Sequence, residues 1–259
     1  MTEPDARIHA QAAVGFGRAA EAYERGRPGY PAAAIAHLLT VLNVTAKSRV
    51  VELGAGTGKF TTHLAATGAH VVAVEPVANM RARLTGRLPS VQVVDGTAEA
   101  IPLADRSVDA VFAAQAFHWF AADRALAEIS RALKPGGGFG LIWNVRDESL
   151  PWVRQLTAIL DPHEAGTPRY RTLEWMAAFR QCDRLSPLES LSFPHLQQLT
   201  PSALVDRVAS ISFIAAMPEA ERADVLAQVL ALLETDPALA GREHLEMPYE
   251  TRTYWCRRL

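Results

Sequence analysis

Short apolar runs alternate with longer segments of helical spacing along roughly the first 147 residues. Ile35, Leu38, Leu39 and Leu42 stand at i, i+3, i+4 and i+7, which predicts a helix after Pro31. Val50, Val51 and Leu53 read as a buried strand, and the spacing of Phe60 and Leu64 predicts a helix within 57–67. Further strands are predicted at 70–74, 91–94, within 107–120 and at 133–144. Asp123 ahead of Leu126, Ile129 and Leu133 predicts an N-capped helix between the last two. Lys134 and Pro135 before three glycines are stop signals for that helix. Strands and helices that alternate in this way imply an α/β fold with a parallel sheet and right-handed crossovers.

After Asn144 the rhythm changes. Trp152, Val153, Leu156, Ile159 and Leu160 predict one amphipathic helix, and Leu173, Met176, Ala177 and Arg180 another, with DPHEAGTPRY (161–170) between them. A sixth strand is expected over 188–196, helices over 202–210 and 219–234, and a last strand over 249–256. The predicted organisation is an N-terminal lid (1–30), a core (31–147), a cap and substrate region that includes the sixth strand (148–245), and a last strand completing the core sheet (246–259).

Composition narrows the function classes. The 259 residues are 49% apolar, enough for a substantial core. A net charge of −2 leaves no electrostatic footprint for nucleic acid or an anionic membrane. Two cysteines, Cys182 and Cys256, make neither a disulfide framework nor a metal motif, and no metal is expected. With no leader-like N-terminus and no long uncharged apolar run, the expected setting is the cytoplasm.

The chemistry concentrates in VVELGAGTG (50–58), where glycines at 54, 56 and 58 fall on a strand-to-helix turn. A dinucleotide fingerprint starting at Gly54 needs glycine at 59, which is Lys59. A phosphate-binding loop ending at Lys59 needs glycine at 53 and Ser or Thr at 60, where Leu53 and Phe60 stand. Glu75 closes the second strand one β-α-β step after Glu52, where a carboxylate can accept from both hydroxyls of an adenosine ribose.

This acid-x-Gly-x-Gly-x-Gly turn, together with Glu75 and DGTAEAIPL (95–103), resembles the class I S-adenosylmethionine-dependent methyltransferases. Within them it is similar to the small-molecule branch that includes type 11 and trans-aconitate methyltransferase-like proteins. The resemblance implies a doubly wound, Rossmann-like, mostly parallel seven-stranded sheet, with an antiparallel last strand inserted between strands five and six, and a helical cap. It also implies S-adenosyl-L-methionine as cofactor, contacted by Glu52, Gly54, Ala55, Gly56, Gly58, Glu75, Pro76, Met80, Thr97, Ala98 and Gln115. Thr97 stands where the family most often has Asp, so its hydroxyl, Asp95 and the backbone N–H of Ala98 are all candidate adenine contacts. The glycine- and proline-broken segment 16–31 corresponds to a lid in that family. Arg27 is a candidate partner for the methionine carboxylate and Tyr23 for closing over the sulfonium.

Methyl transfer from a sulfonium is an in-line displacement that needs alignment and water exclusion more than a fixed catalytic set. His118, in the aromatic loop after strand four, is the candidate general base; its alternative role is packing between Phe117 and Trp119. Nucleic-acid amino-methyltransferases of this fold carry N/D-P-P-Y/F in this loop, whereas this chain has QAFHWF. A small-molecule acceptor is therefore expected, with methylation on oxygen narrowly ahead of nitrogen or carbon, in a monomer or homodimer. The alternatives are a cofactor-binding protein without transfer activity and a nucleotide-dependent oxidoreductase.

Overall fold

The computed structural model describes residues 26–164 and 168–259. Phe16 and Tyr23, and with them most of the expected lid, lie outside the described residues.

Helix α1 (Ala32–Val41) leads into β1 (Arg49–Leu53), followed by α2 (Thr61–Ala65), β2 (His70–Val74), α3 (Ala78–Arg87), β3 (Gln92–Val94) and β4 (Val108–Ala114). A 3-10 turn (Phe117–Trp119) then precedes α4 (Ala122–Ala132) and β5 (Leu133–Arg146). Next come α5 (Pro151–Leu160), two more 3-10 turns (Asp161–His163 and Tyr170–Thr172), α6 (Trp175–Gln181), β6 (Glu189–Leu199), α7 (Pro201–Ala209), α8 (Ser212–Ala215), α9 (Glu219–Thr235) and β7 (Leu245–Arg257).

The strands form one sheet in the order β3-β2-β1-β4-β5-β7-β6, mostly parallel with antiparallel last strands. The order reverses direction between β1 and β4, the point at which ligands bind in doubly wound sheets. The central strands are buried on both faces, which is why their sequences read as continuous apolar runs rather than as an alternation.

Several elements differ from expectation for local reasons. Helix α2 spans only Thr61–Ala65, because Gly56 and Gly58 hold left-handed backbone and the helical path starts beyond them. Asp123 is not the N-cap of α4; it lies in the first turn behind Ala121, where its charge still complements the helix dipole. The N–H of Ala121 is instead met by the Glu99 carboxylate at 2.8 Å. Leu173 adopts a φ of 56° and ends a 3-10 turn, so α6 begins only at Trp175. Lys134 stands within β5 and pairs with Asp109 at 2.6 Å, while the other oxygen of Asp109 accepts the Arg49 N–H at 2.8 Å. One carboxylate thus ties the starts of three adjacent strands.

By contact the chain divides into two compact units. One comprises 30–144, 168–193 and 251–259, with a core of α1 side chains, Phe60, Leu64, Leu84 and the central strands. The other comprises, among the described residues, 26–29, 145–164 and 194–250, with a core of Trp152, Leu156, Leu204, Val229, Met247 and Tyr249 among others. No helix among the described residues is long and apolar enough to cross a membrane.

Gly140 of β5 lets α1 seat closely on the sheet. A Cβ there would lie 2.8 Å from Leu42 Cδ1 and 3.0 Å from Phe112 Cδ1. Gly140→Ala is expected to cost about 1–3 kcal/mol by overpacking. Adding Leu42→Ala should recover part of that cost, so that the double variant is milder than the sum of the single ones. Urea unfolding of the four proteins measures this coupling.

Candidate cofactor and acceptor site

All the groups at the reversal point belong to the first unit. The chain leaves β1 and turns at once: Gly54 and Ala55 donate to the Val74 carbonyl at 2.9 and 3.3 Å, and Gly58 to the Ala55 carbonyl at 3.0 Å. Gly54, Gly56 and Gly58 have φ of 66°, 58° and 85°, a region that side chains with a Cβ rarely enter. Gly54 has a second constraint. A Cβ on it would sit 2.9 Å from Ala116 Cβ, with Phe120 just beyond, so the turn after β1 rests directly on the loop after β4. Gly56 differs, because a Cβ there would face open space.

Two carboxyls flank the turn. Glu75 is 5% exposed; its Oε2 accepts the Gly56 N–H at 2.8 Å and its Oε1 the Val77 N–H at 2.9 Å. Burial raises its pKa, opposed by those two N–H groups and by Arg81, with Asp95 pushing it up further. Glu52, 1% exposed, accepts the Thr61 hydroxyl at 2.6 Å. Burial lifts it to about 8; the Thr61 bond works against this and the nearby Glu75 charge adds to it.

The remaining candidates fall around these groups. Met80 is buried on α3, and Pro76 is exposed at its entrance. Thr97 pairs with Ala100 in an isolated antiparallel bridge, with Ala98 buried between them. The Asp95 carboxylate is gripped by both terminal nitrogens of Arg81 at 3.0 and 3.1 Å, while Arg81 also donates to the Glu75 carbonyl. Gln115 closes β4 with a φ of 56° and its N–H on the Ile142 carbonyl at 2.9 Å. Arg27 belongs to the other unit, where its guanidinium donates to the Ser210 carbonyl at 3.1 Å.

At His118 the structure adds a partner that the sequence reading missed. The indole Nε1 of buried Trp143, on β5, lies 3.2 Å from His118 Nδ1. An indole N–H can only donate, so Nδ1 accepts, and the neutral ring carries its proton on Nε2. A signal for Trp143 was available: a tryptophan inside an apolar strand must find an acceptor for its N–H when buried.

The turn suits a nucleoside carrying an amino-acid tail. Thr57 Oγ1 is buried without a partner, Gly56 leaves open space beside it, and Glu75 keeps lone pairs beyond its two backbone bonds. Among the described residues no cluster of His, Cys, Asp and Glu is arranged to hold a metal ion.

Residues 51–141 match the model of a methyltransferase domain family. An uncharacterized methyltransferase of Mycobacterium tuberculosis strain H37Rv is 45% identical over 238 residues, 92% of this chain and 93% of that protein. A malonyl-[acyl-carrier protein] O-methyltransferase of Methylococcus capsulatus is 42% identical over a shorter stretch of 96 residues, 35% of each chain. The crystal structure of a putative methyltransferase from an antibiotic biosynthesis pathway of Anabaena variabilis superposes with a TM-score of 0.66 at 21% identity, covering 89% of this chain and 98% of that one. The chain belongs to the class I S-adenosylmethionine-dependent methyltransferases.

Proposed function

We propose that this methyltransferase uses S-adenosylmethionine to methylate an anionic oxygen, a carboxylate, on a small-molecule acceptor. The cofactor supplies an electrophilic methyl group on a sulfonium. The turn 54–58 and Glu75 hold it: Glu75 accepts from the ribose hydroxyls, the Thr57 hydroxyl and the turn's backbone serve the amino-acid tail, and Ala98 or Thr97 reads the adenine. Arg27 and Tyr23 remain the candidates for the tail's carboxylate and the sulfonium. A reducing, cytoplasmic setting fits the two free cysteines.

The observation that supports the acceptor class is the Trp143–His118 contact. A general base needs a free lone pair, and that of Nδ1 is already engaged by the Trp143 N–H, which leaves the proton of the neutral ring on Nε2. His118 therefore serves as a donor that orients an acceptor oxygen. An acceptor with no proton to lose at neutral pH suits such a site, as carboxylates do. The O-methyltransferase name of the Methylococcus relative points to the same acceptor atom.

Incubation with S-adenosylmethionine and a metabolite panel, read by mass for the gain of one methyl, tests the function. Esters of carboxylic acids are expected; cofactor binding with no product from any acceptor would favour a protein that binds without transfer. With the acceptor in hand, His118→Ala should lower kcat/KM roughly 10–100-fold, the loss of one hydrogen bond to a charged group. His118→Asn, which keeps a donor, should lose less. A near-neutral limb in the wild-type pH–rate profile that disappears in His118→Asn would restore the general base.

A further inference from the structure

Within the first unit, the segment 96–103 joins the strand end that carries Glu75 to helix α4. Gly96 packs closely at its start: a Cβ there would lie 2.9 Å from Pro102 Cδ and 3.1 Å from Cγ1 of Val74, the last residue of β2. The bridge between Thr97 and Ala100 closes the segment on itself around buried Ala98. Its far end is held by the second half of α4. Glu128 Oε2 accepts the Ile101 N–H at 2.9 Å, and Arg131 donates to the Ile101 and Leu103 carbonyls at 3.0 and 2.8 Å. Arg131 and Glu128 are themselves paired at 2.8 Å, which fixes both holds. Glu99, next to Ala98, makes the tie to the other end of the helix through the Ala121 N–H, at 2.8 Å.

Helix α4 starts without a side-chain cap of its own. The N–H groups at a helix start need acceptors, and a carboxylate suits them best because its charge also complements the helix dipole. A serine or aspartate at 121 would stabilise the helix locally. The chain has Ala121 there and takes its acceptor from 22 residues earlier instead. The bond therefore joins the residue beside Ala98 to the residue directly after Phe120. Between Ala116 and Ala121 the chain is stiffened by its own short bonds, Trp119 N–H to the Ala116 carbonyl at 2.9 Å and Phe120 N–H to the Phe117 carbonyl at 3.0 Å. Fixing Ala121 thus fixes the turn that presents His118.

We propose that Glu99 is a positioning residue that couples the adenine end of the cofactor site to the acceptor loop. A ligand that restrains residues 97 and 98 restrains Glu99, and through the Ala121 N–H it restrains 117–120. The ordering of the loop is then completed when the cofactor binds rather than when the acceptor arrives, so the cofactor binds first and raises the affinity for the acceptor. This rests on the reading in which Ala98 or Thr97 contacts the adenine.

Amide hydrogen exchange of the full-length protein, with and without saturating S-adenosylhomocysteine, tests the coupling before any acceptor is known. In the wild type, exchange at Trp119 and Phe120 should slow about tenfold on binding. Glu99→Ala should keep the slowing at 54–58 and lose it at 119 and 120, whose own bonds do not involve Glu99. Glu99→Gln, which retains an acceptor oxygen, should keep the loop response. The double variant Glu99→Ala/Ala121→Ser supplies a local cap, so its urea midpoint should move back towards wild type while the loop response stays lost. If Glu99→Ala does not fold, this double variant gives the comparison. Wild-type slowing at 119 and 120 in Glu99→Ala, or its recovery in the double variant, overturns the proposal and leaves Glu99 a helix cap. S-adenosylhomocysteine binding with no loop response in the wild type overturns the coupling alone. Failure of the wild type to bind it overturns the cofactor reading as well.

Discussion

Replacing Glu75 with alanine should weaken S-adenosylhomocysteine binding by about 10²–10³-fold, the largest loss expected of any single substitution in the turn. Two bonds from ribose hydroxyls to a charged acceptor account for part of it, at about 1.5–3 kcal/mol each before compensation. The rest comes from the protein itself. The Gly56 and Val77 N–H groups both end on this carboxylate, and without it two partly buried donors lose their acceptor and the turn loses its brace. Glu75→Gln, which keeps one acceptor oxygen, should lose only about tenfold. Isothermal calorimetry with S-adenosylhomocysteine separates the two variants. Unchanged affinity in both would remove Glu75 from the cofactor site.

The second large effect concerns stability and pH. Glu52 titrates at about 8 when folded, against an ordinary 4.5, because burial outweighs its bond from Thr61. Between those values the folded state retains a proton that the unfolded state has released. Stability from this group is therefore complete below about pH 4.5, falls as pH rises towards 8 and levels off above it. At about 1.4 kcal/mol for each pH unit of separation, the whole fall is roughly 5 kcal/mol. Glu75, shifted in the same direction, adds to it. Urea unfolding from pH 5 to 9 should show this decline in the wild type and a much flatter profile in Glu52→Gln, whose amide oxygen still accepts from Thr61. An equally steep decline in Glu52→Gln would place the buried proton elsewhere.

The order of strands and helices was legible wherever burial imposed one period on the side chains. β1, β2 and α1 emerge within a residue or two of their expected bounds, because two-sided burial and the 3.6-residue repeat each leave an unambiguous pattern. Short elements escaped. Helix α8 is four residues long and carries too few positions for a period, and α2 was overextended because a glycine's left-handed backbone leaves no trace in hydropathy. At the site, the glycine spacing and Glu75 were readable because backbone geometry and ribose chemistry restrict which residues can serve. The Trp143–His118 contact and the Thr61–Glu52 bond were not: the first joins a strand to a 3-10 turn 25 residues earlier and the second depends on how the turn folds back. Both are tertiary facts that one-dimensional spacing does not carry.

The close approach of Gly54 to Ala116 bears on how this scaffold can be re-engineered. A side chain at 54 would collide with Ala116, so the floor these two residues make between the turn after β1 and the loop after β4 tolerates no added bulk at 54. A laboratory search for new acceptors should therefore leave 54 untouched and randomise positions outward from the floor. Libraries that include this position would be dominated by clones that have lost the methyl donor altogether.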